Sequence, residues 1–381
     1  MRILFDSQAF TMQTHGGVSR CFAELYKHLP KDIEARISVY ESDNAYLKDL
    51  VEVKPKNWQF DHFICPWRFP GKWRLHAWTD RFRKHKYYPE YNNNCTIEEL
   101  KLGDFDIFHP TFFGDYFLPY LQGKPFVMTI HDMIPELYPQ YFRQDDFQIV
   151  MKRKLAPLAH AIIAVSENTK QDIIRILGIA EEKIHVIYHG CSLMTADECQ
   201  HLFPFPYVLY IGSRFGYKNF FPFVRSMVSV LRRHPELHVI CTGHPFNEQE
   251  KELFQELEVR ERFIYHWVED DATLYSLYHH AQCFVYPSEY EGFGIPILEA
   301  WQAHCPVMLN RKSCFPEIAG DAAVYFNMDA SHNDIEEHLE NLLSMSGEEK
   351  AHLLDKQRER LTHFSWKQSA MQLAQVYKSL I

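Results

Sequence analysis

Hydrophobic residues follow two alternating patterns along this chain, and the alternation predicts an α/β protein. Short apolar runs such as 2–5, 161–165 and 283–286 have the length and composition of buried strands. Between such runs, apolar residues recur at spacings of three and four, as at Val18 and Phe22, which indicates one face of a helix. Strands that alternate with helices are typical of parallel sheets covered by helices.

The periodicity is lost at residues 191–206, where two prolines also occur. We therefore expect a domain boundary there, with a first parallel-sheet domain at 1–195 and a second at 205–365. A final helix is predicted within 366–381.

The stretch 288–300 combines a strand end, a glycine-containing loop and a helix. Gly292 and Gly294 allow a ligand to approach the backbone closely, and the first N–H groups of the helix favour anions or hydroxyl oxygens. Glu291 in the loop and Glu299 in the first helical turn place two carboxylates at the entrance of one candidate binding site. This combination suits a polyhydroxylated ligand that carries phosphate, although the same pattern is also common as a plain connection.

A second loop of the same domain, 212–219, also follows a strand and precedes a helix. Its cations Arg214 and Lys218 can clamp a diphosphate. Two solvated surface cations are the alternative. The loop at Gly243 follows a neighbouring strand, and loops at the carboxyl ends of parallel strands face one crevice, which favours the ligand-binding interpretation.

In the first half, Gly16 and Gly17 lie where the first strand passes to the first helix. The pattern G-x-G-x-x-G is absent, so the nicotinamide-cofactor fingerprint is absent too. His109 and His131 stand at the carboxyl ends of two further predicted strands. A histidine in such a position is more often structural than catalytic.

The segment 66–91 differs from the rest of this acidic chain. Between 66 and 88 it contains seven Lys or Arg residues, seven aromatic residues and one acidic residue, Asp80. It could lie on an anionic membrane surface, or hold an acceptor through cations such as Arg68 and Arg74. The alternative is a helical insertion with solvated charges and packed aromatic rings.

Composition excludes several classes of protein. The net charge of -10 offers no general attraction for nucleic acid. The nine cysteines show no metal-binding spacing and predict a reducing, cytoplasmic environment. A secretory signal and an apolar run long enough to span a membrane are both absent from the sequence.

Four stretches together resemble the retaining, nucleotide-sugar-dependent glycosyltransferases of family 4, which have the GT-B fold. They are the E-x7-E stretch 291–299, the loop 212–219, the Gly-Gly loop 16–20 and the segment 313–323. Their order and spacing cover almost the whole chain. Residues 108–111, 129–136 and 187–190 look most like the bacterial mannosyltransferase-like subgroup.

The resemblance implies two Rossmann-like domains that face a cleft, with the last helix crossing back to the first domain. It implies that His131, Glu291, Arg214 and Lys218 carry catalysis. The implied donor-binding residues are Gly16, Gly17, Ser213, Arg214, Lys218, Gly243, His266, Trp267, Val268, Glu291, Gly292, Phe293, Gly294, Ile295 and Glu299. The acceptor-side candidates are His109, Arg68 and Arg74.

Within this set, Arg214 and Lys218 would neutralise the leaving diphosphate, Glu299 would bind the ribose, and Glu291 and His131 would contact the donor sugar. No metal and no cofactor are expected, because the two cations supply the positive charge and the nucleotide-sugar is a substrate.

The expected function is transfer of a sugar, by subgroup resemblance mannose from GDP-mannose, to a glycan or polyprenyl-linked acceptor in polysaccharide synthesis. The expected location is cytoplasmic, with peripheral membrane contact through 66–91 as one interpretation. A GT-B epimerase or phosphorylase and a non-catalytic nucleotide-sugar-binding protein are the alternatives.

The chain departs from the family pattern at two places. His189 stands where the family often has Asn, and His266-Trp267 stands where it often has Gly near the base-binding site. The second departure leaves the nucleotide base open.

Overall fold

The computed structural model describes residues 1–48, 50–52, 89–193, 195, 199–329 and 331–381, with 89–91 described as backbone only. Arg68, Arg74 and the rest of 66–88 lie outside the described residues. Across the described residues, every helix is too short or too polar to cross a membrane.

The first domain alternates strands and helices up to residue 186. Its strands are β1 (Arg2–Phe5), β2 (Glu34–Ile37), β3 (Ile107–His109), β4 (Val127–Ile130), β5 (Ala161–Ala164) and β6 (Ile184–Val186). Its helices are α1 (Gln8–Met12), α2 (Gly17–His28), α3 (Pro89–Leu102), α4 (Ile134–Leu137), α5 (Phe147–Leu155) and α6 (Glu167–Leu177).

The second domain repeats the alternation from residue 207. Its strands are β7 (Tyr207–Tyr210), β8 (His238–Cys241), β9 (Phe263–Tyr265), β10 (Cys283–Tyr286), β11 (Val307–Asn310) and β12 (Val324–Phe326). Its helices are α7 (Phe220–Arg233), α8 (Glu248–Glu256), α9 (Asp271–His279), α10 (Ile295–Gln302), α11 (Phe315–Ala319), α12 (Ile335–Leu343) and α13 (Gly347–Leu361), after which α14 (Trp366–Ser379) ends the chain.

Both sheets are parallel in all their paired strands. The second sheet has the order β12-β11-β10-β7-β8-β9. The first consists of β2-β1-β3 and β4-β5-β6, joined by a parallel bridge between Phe108 and Phe126. The carboxyl ends of the strands in each sheet therefore share one edge, where the loops singled out from the sequence emerge.

Local signals in the sequence set several element boundaries. The Ser166 side chain accepts a hydrogen bond from the Thr169 N–H at 3.0 Å, and Gly178 ends the same helix in the left-handed conformation with φ 66°. Ser166 as a capping residue and Gly178 as a stop predict a helix at 167–177 from the sequence, and the structure has this helix with the same bounds. Residues 7–14 predict a polar loop from the sequence, and this prediction was wrong: the stretch contains α1, because Ala9 and Phe10 pack in the core.

Helix α14 returns to the first domain. Trp366, Leu373 and Tyr377 are buried in the same hydrophobic cluster as Phe5 and Phe22. Burial of these large side chains holds α14 on the first domain, although the helix follows the second domain in sequence.

Candidate functional site

The loop after β10 brings the second domain against the first. A Cβ atom built on Gly292 would lie 1.7 Å from the carbonyl oxygen of His131, a separation that only glycine permits. The Gly292 carbonyl oxygen accepts hydrogen bonds from the hydroxyl groups of Ser166 at 2.6 Å and Thr169 at 3.3 Å. The E-x7-E loop therefore forms part of the contact between the domains.

Two further contacts hold the cleft in this closed arrangement. The Glu317 carboxylate accepts hydrogen bonds from the first N–H groups of α6, at 2.6 Å from Glu167 and 3.0 Å from Asn168. The Tyr290 hydroxyl group donates to Asp172 at 2.6 Å. Polar groups of both domains are thus paired across the cleft.

Lys218 and Glu291 form an ion pair at the centre of the second-domain loops. The Lys218 ammonium donates to the Glu291 carboxylate at 2.5 Å, and both side chains are largely buried. The two predicted catalytic residues therefore meet, although they are far apart in sequence. An ammonium group at this position can stabilise negative charge that develops on a departing phosphate.

Glu299, at the first turns of α10, lies against a cation from the other domain. Its Oε1 is 3.5 Å from Arg20 Nη1, and its Oε2 accepts a hydrogen bond from the Tyr278 hydroxyl group at 3.3 Å. Burial raises the pKa of Glu299, and the neighbouring Arg20 guanidinium opposes that rise. Arg20 also pairs with Asp271 at 3.0 Å, so it joins α2 to two helices of the second domain.

His131 faces a cavity of about 220 Å³ at the end of the first sheet. The cavity is also lined by Val18 and Ser19 of α2 and by Asp132. Among the described residues, none forms a hydrogen bond with the buried Nε2 atom of His131. An unpaired buried ring nitrogen is costly unless a ligand completes it, so this atom is a candidate donor or acceptor for a bound hydroxyl group.

Arg214 is already engaged in the structure. Its guanidinium donates to the Glu250 carboxylate at 2.6 Å and to the carbonyl oxygen of Thr242 at 3.0 Å, and its second amino group reaches the carbonyls of His244 and Pro245. These contacts hold the loops after β7 and β8 together. In this conformation Arg214 positions the loop, and its predicted contact with a diphosphate remains a prediction.

Gly16 and Gly17 begin α2, as expected from their position after the first strand region. Gly16 is the N-cap residue and Gly17 the first helical residue. A Cβ atom on Gly17 would meet no atom within 4 Å, so the protein itself leaves space beside this backbone. A ligand phosphate could approach the helix N-terminus there.

The other predicted donor-binding residues surround the same edge of the second sheet. Gly243 has a φ of 94° and lies against the Gly212 carbonyl, whereas the Trp267 side chain is 61% exposed. Phe293 is buried and packs on His189, which makes it a contact between the domains. The remaining members are Ser213, which is exposed, His266, Val268 and Ile295, which are partly buried, and Gly294, which caps α10 with φ 93°.

His109 has a structural role in this conformation, in place of the acceptor contact that the family resemblance implied. Its ring is fully buried, Nδ1 lies 2.6 Å from the Tyr377 hydroxyl group and Nε2 lies 2.9 Å from the Thr129 hydroxyl group. The ring thereby links the first sheet to α14, and no acceptor can reach it without unpacking the core.

Several polar contacts of this region had no signal in the sequence. Lys152 of α5 and Glu136 of α4 form a completely buried ion pair at 2.8 Å beneath the loop that carries His131. Cys21, His131 and His189 also converge, with one ligand atom of each within 4.8 Å of the others. Each set joins residues from separate elements, which spacing along the chain does not reveal.

The buried imidazoles of His109 and His189 and the partly buried one of His131 make stability depend on pH. Burial lowers the pKa of His109 to about 3, that of His131 to about 4, and that of His189 well below its usual value. These rings are neutral in the folded protein, whereas the unfolded chain protonates them near pH 6.5. The folded state therefore loses stability as pH falls below about 6.5, by up to about 1.4 kcal/mol per pH unit for each ring.

We expect the variant His189→Asn to take up about one proton fewer on unfolding between pH 6 and 4.5, because asparagine does not titrate there. The free energy of unfolding should therefore depend less steeply on pH. Urea unfolding at a series of pH values measures the slope for both proteins. Equal slopes would show that His189 is not a buried neutral imidazole in the folded protein.

The comparisons with known proteins agree with this architecture. The family model described as Glycosyltransferase Family 4 matches residues 15–194, and the model described as Glycosyl transferases group 1 matches residues 201–361. A crystal structure of a glycosyltransferase from Rickettsia africae superposes over 100% of this chain and 98% of that one, with a TM-score of 0.69 and 17% identity. The shared arrangement of two Rossmann-like domains is the GT-B fold.

Several curated relatives are named for mannose transfer. O-antigen chain mannosyltransferase RfbU of Salmonella typhimurium is 29% identical over 56% of this chain and 59% of its own length. O-antigen chain mannosyltransferase B of Escherichia coli is 28% identical over 70% of this chain and 73% of its own length. A GDP-mannose:cellobiosyl-diphosphopolyprenol alpha-mannosyltransferase of Xanthomonas oryzae is 26% identical over 55% of this chain and 57% of its own length.

The alignments with the Salmonella and Xanthomonas relatives thus span less than two thirds of those proteins. The two family models, by contrast, together span both domains and include the loops that carry Glu291, Lys218 and Gly17. The chain therefore belongs to the glycosyltransferases of family 4 and group 1, with the GT-B fold.

Proposed function

We propose that this protein transfers mannose from GDP-mannose to a hydroxyl group of a glycan or polyprenyl-linked oligosaccharide during synthesis of a cell-surface polysaccharide. The names of the O-antigen relatives support the sugar, and that of the Xanthomonas relative supports the donor and a lipid-linked acceptor. The observation that carries the proposal is the largely buried Lys218–Glu291 ion pair beside Gly292, whose backbone lies against the His131 carbonyl of the other domain.

In this proposal Lys218 stabilises the diphosphate as it leaves. The bond between C1 of the sugar and the phosphate oxygen breaks, and a bond from C1 to the acceptor oxygen forms on the same face. The acceptor proton passes to the departing phosphate oxygen. The configuration at C1 is retained, and Lys218 supplies positive charge where negative charge develops.

The contacts of the closed cleft support the other roles. His131 Nε2 is buried and has no hydrogen-bond partner among the described residues, and it forms a hydrogen bond with a hydroxyl group of the donor sugar. Glu291 contacts the sugar from the second domain, and Glu299 accepts hydrogen bonds from the ribose. Closure of the loop at Gly292 excludes water from the reacting carbon and limits hydrolysis.

A donor panel followed by product analysis tests the proposal. We expect GDP-mannose to raise the melting temperature more than UDP-, dTDP- or ADP-sugars, because binding stabilises the folded state. We then expect an α-linked product with a glycan acceptor. Stabilisation by no nucleotide-sugar would remove the donor assignment, sugar conversion without an acceptor would indicate an epimerase, and binding without turnover would indicate a non-catalytic protein.

Glu299→Ala should weaken GDP-mannose binding by about 1.5–3 kcal/mol for each charge-assisted hydrogen bond lost, or about 10- to 100-fold in Kd. Isothermal titration calorimetry measures the change. The matched control is Asp271→Asn, which removes the more exposed partner of Arg20 and should cost less than about 1 kcal/mol. Equal losses in both variants would mean that the effect passes through Arg20, and Glu299 would not be the ribose ligand.

A further inference from the structure

Three groups that commonly bind metals meet beside the donor site. Cys21 lies on α2, His131 follows β4 and His189 follows β6. One ligand atom from each lies within 4.8 Å of the other two. The Cys21 sulfur is 3.5 Å from His189 Nδ1, and the two imidazole rings are 5.9 Å apart between centroids.

One thiol and two imidazoles match the ligands of thiophilic divalent ions. Zinc binds cysteine sulfur at about 2.3 Å and histidine nitrogen at about 2.0 Å. These bond lengths place the ligand atoms of a tetrahedral site closer together than the 4.8 Å limit within which the three atoms lie here. Small side-chain rotations would bring them to a common ion. Three protein ligands leave a fourth position for water.

The surroundings of His131 favour binding. His131 Nε2 has no hydrogen-bond partner among the described residues, and His131 also lines the cavity of about 220 Å³. The cavity gives an ion a route to His131, whereas Cys21 and His189 line a separate space of about 10 Å³.

We propose that Cys21, His131 and His189 bind a thiophilic divalent cation such as Zn²⁺, and that the bound ion inhibits sugar transfer. The ion occupies His131, which the proposed function assigns to the donor sugar, so metal and donor compete. The inhibition therefore rests on the proposed function, whereas the binding of the ion does not.

Binding has a defined proton balance. A cysteine thiol has to lose its proton to bind a metal ion as thiolate. The S–H bond breaks, a sulfur–metal bond forms, and one proton passes to solvent for each ion bound.

Cobalt(II) provides a probe that is independent of activity. Titration of the chelator-treated protein with CoCl₂ should give a thiolate-to-cobalt charge-transfer absorption at one ion per chain, and ZnCl₂ should remove it. We expect Cys21→Ser to abolish the absorption and His189→Asn to weaken binding at least tenfold. Circular dichroism checks the fold of each variant, and His189→Asn tests the site separately if Cys21→Ser is unstable.

The matched control is a second thiol–imidazole pair, in which the Cys199 sulfur lies 3.5 Å from His280 Nε2. Cys199→Ser should leave the cobalt absorption unchanged. Absence of the absorption in the wild type, or its loss in Cys199→Ser with retention in Cys21→Ser, would overturn the proposed site.

The activity measurement addresses inhibition. Zn²⁺ at one equivalent should reduce transfer by the wild type, saturating donor should relieve this, and Cys21→Ser should be at least tenfold less sensitive. Equal inhibition of both proteins would refute the inhibitory role. A wild type that binds cobalt as expected yet transfers no sugar would contradict the proposed function and leave the metal site standing.

Discussion

Lys152→Met should lower the free energy of unfolding by about 3–5 kcal/mol, because it leaves the Glu136 carboxylate charged and unpaired in the core. Both side chains of the pair are essentially inaccessible to solvent. The Lys152 ammonium donates to Glu136 at 2.8 Å and also to the Asp132 carbonyl oxygen at 3.0 Å. Urea denaturation of the first-domain transition measures the loss.

A double variant distinguishes the effect of removing the whole ion pair from the effect of leaving one buried charge unpaired. Lys152→Met with Glu136→Leu should recover most of the stability, since replacing a whole buried ion pair by apolar side chains is often neutral or stabilising. The double variant should nevertheless transfer sugar more slowly, because the Asp132 carbonyl next to His131 has lost its donor. A double variant as unstable as the single one would show that the two charges do not compensate each other.

Lys154→Met is the matched control on the same helix. Lys154 pairs with Asp115 at the surface, where its side chain is half exposed. Surface pairs of this kind contribute about 0–1 kcal/mol. A loss in Lys152→Met no greater than in this control would contradict the interpretation of a buried, fully desolvated pair.

Gly292→Ala should reduce kcat/KM for sugar transfer by about 100-fold, the effect typical of an ångström-scale displacement in an active site. The added Cβ atom would lie 1.7 Å from the His131 carbonyl oxygen and 2.9 Å from the carbonyl carbon. Both contacts are with backbone, so no flexible side chain can move aside, and the domains must separate. Steady-state kinetics with GDP-mannose measures the change.

The stability of Gly292→Ala should stay close to that of the wild type, because the clash lies between domains and opening the cleft relieves it. Gly347→Ala is the control for the substitution itself, since a Cβ there meets no atom within 4 Å. Its activity should be unchanged. Wild-type kinetics in Gly292→Ala would show that the closed contact is not used during catalysis.

Features that depend on neighbouring residues were predictable. The helix 167–177 follows from a capping serine, an apolar face and a final glycine, all within one short stretch. The strand 283–286 was predicted at both ends from its apolar run between turn residues. The turn with Glu291, Gly292 and Gly294 was likewise visible as a strand–loop–helix pattern.

The alternating strands and helices, the two parallel sheets and the edge where the conspicuous loops emerge follow from local sequence patterns, because periodicity and capping act over a few residues. Which side chains meet at that edge depends on how the elements and domains pack. This packing pairs Lys218 with Glu291, turns Arg214 towards Glu250, and brings Arg20 across to Glu299. These contacts join residues of different elements, and they depend on sheet packing and domain closure, which no local pattern encodes.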